Sequence, residues 1–454
     1  MLDSHDTLVV MQDALFNGTD APNISNQSVA RDRLGPARMR LADRSQVGMQ
    51  VCSIDELVAL DHPVRIVWDA VCQMDLSGFA QPIQSREFTE GRPANDVRVM
   101  VGLWLWAAVN NIARGRLLAR LCETDVTYRW MCGGLSMNYH TLNDFRVEHQ
   151  AALDALFTAI LGRLIHRELV SVTRITQDGL RTRASAGTGS FRRRPTLEKC
   201  LAQAQAHLED LKKLAESPDN QEADEQGKAR ESALAADRLG RVKAALSELT
   251  KVEAAKEKSH DKKRERPPRA STTDPEARVM KMPNGGFNPA YNVQFASDPG
   301  SRAIVGVMVS NRGTDAPLSE PMRQQVERRT GQKVSEHLVD GGYVNLEVID
   351  RAADKEVDLY MPVPQPNKNS KVIDRFARRE DDSDAVADWR SRMNTQEAQA
   401  IYQERASTSE TINAEVRTYR GMSPLAVRGI AKAMCIALWS ALAYNLMHFA
   451  SALT

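Results

Sequence analysis

The stretch Val334-Ser-Glu-His-Leu-Val-Asp-Gly-Gly-Tyr343 constrains this chain more than any other. It reads as an apolar strand running into a double-glycine turn, so Asp340 is displayed at a strand end. A charged side chain in that position needs solvent, a partner or a metal. Leu169-Val-Ser-Val-Thr-Arg-Ile-Thr-Gln-Asp178 has the same form, rich in β-branched residues and closed by Asp178-Gly179. The fold has to decide which carboxylates meet.

Between and around these strands the elements alternate. Tyr291–Ser297 and Ala303–Ser310, joined by a turn at Asp298-Pro-Gly, predict a β-hairpin. Residues 317–329 and 345–354 read as helices, 357–363 as a further strand, 367–392 as charged and irregular, and 395–417 and 424–453 as helices. This is an α/β order. Residues 53–165 instead carry a helical pattern broken at His62-Pro63, Pro82, Gly91-Arg-Pro93 and Gly133-Gly134, as expected of a compact all-α unit. His140 is expected to open a capped helix there with Thr141 and Asn143. Residues 1–45 lack a sustained apolar period and read as a mobile leader.

A long polar, helix-favouring segment separates Asp178 from the later strands. Leu197, Leu201, Ala204, Leu208, Leu211 and Leu214 recur at helical steps, and after Ser217-Pro a second stripe follows through Leu234, Leu239, Val242, Leu246 and Leu249. These predict an antiparallel helical hairpin within 191–270, inserted into the domain that holds the strands. The domains expected are therefore a leader (1–45), a helical unit (46–166), a strand-bearing domain (167–190 and 271–454) and the insertion (191–270).

Lysine plus arginine (60) and aspartate plus glutamate (59) nearly cancel, which excludes a uniformly basic nucleic-acid binder. Any charge for DNA must be local. The most one-sided run is Arg181, Arg183, Arg192, Arg193 and Arg194, with no acid between them, directly after Asp178. A loop this basic beside an exposed carboxylate suggests a polyanion near a metal, and a solvated loop is the plainer alternative. The arginines of the helical unit have nearby acids, and charge alone favours a solvated surface for them. Six cysteines without a Cys-x-x-Cys pair, and no basic-then-apolar leader, point to reduced thiols in the cytoplasm. Cys122, Cys132, His140 and His149 lack the short paired spacings of a structural zinc site. Residues 429–450 are the most apolar stretch, but Lys432, Ser440, Asn445 and His448 interrupt it, so a buried helix is expected rather than a membrane span.

Phosphoryl transfer with hard divalent cations needs oxygen ligands from several carboxylates. With Asp178 and Asp340 at strand ends, the third should come from the helix over 395–417. There Tyr402, Arg405, Ser409, Glu410 and Arg417 share one broad side while Glu404 points elsewhere, so Glu410 is the choice.

Together, Asp178-Gly-x-Arg-x-Arg, the tract from Asp274 and Arg278 through Tyr291-Asn-Val-Gln294, Asp340-Gly-Gly-Tyr343, and Tyr402-x-x-Arg405 followed by Glu410 and Arg417 resemble the DDE transposases of bacterial insertion sequences. Gly91-Arg-Pro93 and His140-Thr-Leu-Asn-Asp-Phe-Arg146 are similar to the helical domain that precedes the catalytic part in that family. The chain departs in having four residues, 406–409, between Arg405 and the glutamate, one more than the family signature, and Arg417 where the family has lysine.

The resemblance implies an RNase H-like catalytic domain, interrupted by the helical insertion and preceded by the all-α domain. It implies that Asp178, Asp340 and Glu410 bind two Mg²⁺ or Mn²⁺ ions, with Arg405 and Arg417 on the DNA backbone. Tyr402, Tyr343, Asp274 and Arg278 would support the site, the last two as an ion pair or from behind the ligands. Trp389 has two readings, an aromatic that anchors a loop or a platform for an unpaired base. The partners implied are the terminal inverted repeats and target DNA, met by a homodimer. An RNase H-like nuclease that cuts without joining, or an inactive DNA-binding derivative, stays open.

Overall fold

The computed structural model describes residues 45, 47, 51–85, 93–216, 225–258, 267–366 and 374–453. The expected leader and Gly91-Arg92 lie outside them, apart from Ser45. Residues 53–454 form one compact unit.

Among the described residues, seven α-helices precede the sheet: α1 (Pro63–Cys72), α2 (Ser77–Ala80), α3 (Val97–Val109), α4 (Gly115–Thr124), α5 (Val126–Cys132), α6 (Tyr139–Glu148) and α7 (Gln150–His166). Side-chain caps set their starts: Asp96 accepts from Arg98 N at 2.8 Å, and Asp125 accepts from Thr127 N at 2.9 Å. Gly133, left-handed at φ 56°, ends α5 where the double glycine predicts a break. Helix α6 is capped by Asn138, whose Oδ1 accepts from His140 N at 2.8 Å, so His140 lies inside the helix rather than opening it. The shorter, directly placed amide of asparagine caps better than an imidazole.

Next come β1 (Arg174–Arg183), β2 (Phe191–Arg192), α8 (Arg194–Glu216), α9 (Glu225–Lys258), β3 (Ala270–Ser271), β4 (Arg278–Lys281), β5 (Phe287–Ser297) and β6 (Ile304–Ser310). The chain ends with α10 (Ser319–Thr330), β7 (Glu336–Leu338), α11 (Leu346–Ala353), β8 (Asp358–Tyr360), α12 (Asp384–Met393), α13 (Gln396–Tyr419), α14 (Ile430–His448) and α15 (Ala450–Leu453). Helix α12 falls where an irregular segment is expected. Its charged residues hide a short apolar stripe, Val386, Trp389 and Met393, that is buried, and Ser383 caps it. Trp389 is fully buried in this second core, which makes it a loop and helix anchor and removes it as a base-stacking platform.

One sheet positions the site. Its order is β4-β5-β1-β7-β8, with β6 also on β5. β5 lies antiparallel to β1, β4 and β6, while β7 lies parallel to β1 and to β8. Thus the hairpin β5–β6 is the antiparallel half and β1-β7-β8 the parallel half. Close packing against α10 requires Gly306 in β6, since a Cβ there would lie 2.6 Å from the Met322 sulfur and 3.0 Å from Val326.

Helix α14 is the one described helix long and apolar enough to cross a membrane, and it is mostly buried inside the fold. It packs on α3, α7 and β6, which joins the helical layer and the sheet in one core. Its buried Asn445 accepts from Ile304 N at 2.9 Å and donates to Ile304 O at 2.8 Å, satisfying the edge of β6. Helices α8 and α9 pack together as the expected hairpin. A small cluster around Leu197, Ala245 and Leu249 closes their base, and Ala204, Ala235 and Val242 are buried further along, whereas Leu214 and Leu234 are exposed.

Candidate active site

The parallel register of β1 and β7 pairs Thr176 with Leu338. Two residues further along each chain, Asp178 and Asp340 therefore stand at the same level, one still within its strand and one just past its end. Asp340 caps the turn Gly341–Tyr343, its Oδ1 accepting from Gly342 N at 2.8 Å. That leaves Oδ2 free to face Asp178.

Arg405 of α13 reaches between them. Its Nη2 is 3.3 Å from Asp178 Oδ1 and 3.9 Å from Asp340 Oδ2, so those two oxygens are no farther apart than the sum of the two distances. Asn413, two turns further along α13, donates to Asp178 Oδ2 at 3.1 Å. Beneath them a buried hydroxyl chain, Ser409 to Thr176 at 3.0 Å and Thr176 to Ser297 at 2.9 Å, fixes α13 on β1. Burial pushes the Asp178 carboxyl above its ordinary range, against the pull of Arg405 and the Gly179 N–H; Asp340 and Asp315 add to the rise.

Asp315 was invisible to the pattern of strands ending in Asp-Gly. It lies between β6 and α10, where its Oδ1 accepts from Asn292 Nδ2 at 2.5 Å and from Gln294 Nε2 at 2.9 Å, while Arg181 stands 3.7 Å from its Oδ2. A Cβ on Gly342 would lie 3.0 Å from Asp340 Oδ1 and 3.5 Å from Asp315 Oδ2, and one on Gly179 would lie 2.9 Å from Asp315 Oδ1. The two glycines thus keep the space between the carboxylates open. Tyr343 is buried behind this group and hydrogen-bonds Gln294; burial, then Asp315, Asp178 and Asp340, hold its hydroxyl well above the ordinary tyrosine range. The signal for Asp315 is the pair Asn292 and Gln294, two buried amides on one face of an otherwise apolar strand, which require polar partners.

The remaining expected residues divide. Glu410 is exposed on α13 and has no hydrogen-bond or ion-pair partner among the described residues; it stands one position past Ser409, so it projects beside the acidic pair's side of the helix rather than onto it. Glu404 turns the other way and bonds Arg174 at 3.0 Å. Tyr402 is half-buried next to Arg405, and Arg417 is partly exposed two turns beyond Glu410. Arg181 donates to Lys281 O at 2.9 Å and Gly313 O at 3.1 Å, which makes it a brace rather than a free cation. Arg194 is bound to Glu253 of α9, whereas Arg183, Arg192 and Arg193 are exposed. Asp274 and Arg278 do not pair. Asp274 is buried and accepts from Tyr291 OH at 2.7 Å and Gly429 N at 3.2 Å, tying β5 to α14; Arg278 bonds Glu248 of α9 at 2.6 Å.

The geometry therefore brings together Asp178, Asp340 and Arg405, with Asp315 alongside. Two family models match the chain: residues 52–148 match a transposase domain (DUF772), and residues 366–450 match a transposase DDE domain. The chain belongs to the DDE transposases. No curated protein and no solved structure matches the chain. In this transposase the first match covers α1 to α6, and the second covers α12 to α14 with Tyr402, Arg405, Glu410 and Arg417. A DDE domain implies an RNase H-like fold, and the transposase has the mixed α/β sheet such a fold needs. It implies likewise an enzyme of phosphoryl transfer on nucleic acid.

The donor set has the chemistry a hard divalent cation requires. All the converging groups are carboxylate oxygens, and the guanidinium of Arg405 already occupies the position of a shared cation between two of them. Among the described residues no three His, Cys, Asp or Glu side chains are gathered as a complete metal cage. Two carboxylates with room for water and phosphate oxygens suit magnesium, which is seldom held by protein groups alone.

Proposed function

We propose that this transposase binds the terminal inverted repeats of an insertion sequence and cuts and joins DNA at the centre formed by Asp178 and Asp340. The observation that carries the reading is the level placement of these two carboxylates on adjacent parallel strands, both facing Arg405. Asp178, Asp340 and Glu410 are the residues that would hold Mg²⁺ or Mn²⁺, two ions in the full site, and such ions supply positive charge where an oxygen nucleophile attacks phosphorus and the leaving oxygen departs.

The chain's own groups prepare that chemistry. Asn413 and the Gly179 N–H orient the Asp178 carboxylate, and the Gly342 N–H orients Asp340, so both oxygens are directed before DNA arrives. Gly179 and Gly342 leave space at the strand ends for a phosphodiester. Arg405 offsets part of the charge of the pair in the free protein and is positioned to contact a phosphate once cations take over that role. Glu410, on an exposed turn of the same helix, joins the centre as DNA binds. Arg183, Arg192, Arg193 and Arg417 supply cations around it.

In domain terms, 46–166 acts as the helical DNA-binding domain, 167–190 with 271–454 as the RNase H-like catalytic domain, and 191–270 as its helical insertion, with a homodimer engaging two DNA ends in the cytoplasm. The test is to incubate the protein with Mg²⁺, supercoiled plasmid and a duplex taken from the DNA flanking the coding region. Joined product is expected. Cleaved ends that are never joined would assign a nuclease, and a bound but uncut duplex an inactive DNA-binding derivative.

A further inference from the structure

A cleft of about 900 Å³ lies between the helical layer and the end of β1 that follows Asp178. One wall is the α3–α4 turn, residues 111–116; the other is the segment 423–428 that leads into α14. Both walls are fixed. Leu425 N donates to Arg183 O at 3.0 Å, which ties the second wall to the end of β1. Gly421 N donates to Asn111 Oδ1 at 2.9 Å, and Arg420 donates to Val109 O at 3.1 Å, which tie it to the first.

The lining is one-sided in charge. Arg114, Arg116, Arg146, Arg183, Arg428 and Lys432 face a single carboxylate, Asp144, in a chain whose total charge is nearly balanced. All but Arg146 are exposed. Arg146 lies at the base, 6% exposed, its guanidinium 4.5 Å over the Trp104 ring and donating to Ala113 O at 2.5 Å. Among the described residues its Nε is buried without a hydrogen-bond partner, and no carboxylate pairs with it. A cation buried in that state is costly unless an anion completes its surroundings.

We propose that this cleft binds the phosphodiester backbone of duplex DNA flanking the cleavage point, an assignment that rests on the transposase reading above. Arg183 stands five residues beyond Asp178 on β1, roughly 16 Å at about 3.3 Å per strand residue. At about 3.4 Å per nucleotide along one strand, the phosphates held in the cleft lie about five nucleotides from the phosphate at Asp178 and Asp340. A continuous duplex would then run from the acidic centre along β1 into the cleft. Its backbone would be gripped by residues of the helical layer and of the 423–428 segment together.

The experiment uses the full chain and a fluorescein-labelled duplex of flanking DNA, with binding followed by anisotropy across a salt series. Each cation that contacts a phosphate contributes close to one unit to the slope of log affinity against log salt. The double variant Arg428→Ala/Lys432→Ala should lower that slope by about two units. Arg114→Ala, on the opposite wall, should lower it by about one. Arg312→Ala, an exposed cation outside the cleft, serves as the control and should leave it unchanged. Phosphate ethylation should interfere with wild-type binding about five nucleotides from the cut and have no further effect on the double variant. Unaltered slopes in both cleft variants, with wild type binding normally, would overturn the cleft while leaving the transposase reading intact. Interference mapped elsewhere would do the same, and tighter binding of an RNA duplex through these residues would reassign the cleft to RNA. Failure of the wild type to bind any duplex would remove both.

Discussion

The two sides of the proposed centre differ in how far they are built in the free protein. Asp178, Asp340 and Asp315 are each held by named donors: Asn413 and Gly179, Gly342, and Asn292 with Gln294. Glu410, on the neighbouring turn of α13, is exposed and unattached among the described residues. The sheet side carries its own constraints because strand register and buried amides fix it. The helix side depends on what DNA and cations add. Preorganised carboxylates repel one another, and the guanidinium of Arg405 answers that repulsion until something else does.

The largest effect that separates the two sides should come from Glu410. Glu410→Gln is expected to lower joining by roughly 10² to 10³-fold, the cost of losing one transition-state contact, while its unfolding free energy stays within about 0.5 kcal/mol of wild type. A stability loss beyond that range would mean that Glu410 is already part of the built half. Arg405→Ala should behave in the opposite manner. Removing the cation that bridges Asp178 and Asp340 should cost about 1.5–3 kcal/mol in urea unfolding without divalent ions. Added Mg²⁺ should recover part of that loss, and an indifferent response to Mg²⁺ would separate Arg405 from the cation's position.

The strand that delivers Asp340 supplies a pH test. His337 in β7 is buried, and burial, with Arg323 nearby, pushes its imidazole down to about 3. Its folded pKa lies below the unfolded value near 6.5, so the unfolded chain takes up the proton first. The stability this neutral side chain confers is complete above that value and is lost as pH falls, by about 1.4 kcal/mol per pH unit below it. His337→Gln should flatten that part of the profile in calorimetry between pH 6.5 and 4.5. An equally steep profile in the variant would place the acid sensitivity elsewhere. Asp315→Asn is the mildest change, expected to cost about 1 kcal/mol because the carboxylate that accepts from two amides and faces Arg181 becomes a neutral group. Its effect on joining should be about 10- to 100-fold, as for residues that orient metal ligands. No change in joining would restrict Asp315 to a structural role.

Much of the sheet was legible because its chemistry is local. Alternation in Tyr291–Ser297, the turn at Asp298 and the paired forms at Asp178-Gly179 and Asp340-Gly341 each announce strands within a few residues. The register that brings Asp178 level with Asp340 is not local, since it depends on how β1 and β7 align across 162 residues of chain. Helix α12 escaped because its charged residues outnumber a stripe of three apolar ones. The expected ion pair of Asp274 and Arg278 rested on their closeness in sequence, whereas α14 and α9 supply better-placed partners from elsewhere in the chain. Asp315 sits in a loop with no pattern of its own, and only the buried amides of Asn292 and Gln294 pointed toward something like it.

The measurement that tests the central claim most directly is transfer of a pre-cleaved flanking end, carrying a free 3′-hydroxyl, into supercoiled plasmid by wild type and by Asp340→Ala. Both proteins should bind the end in the anisotropy assay, because Asp340 is half exposed and caps only a short turn. Wild type should yield joined plasmid in Mg²⁺ or Mn²⁺, and Asp340→Ala should fall by roughly 10³-fold or more. Joining by Asp340→Ala at the wild-type rate would contradict the account, because the strand end that pairs Asp340 with Asp178 would then have no part in the reaction.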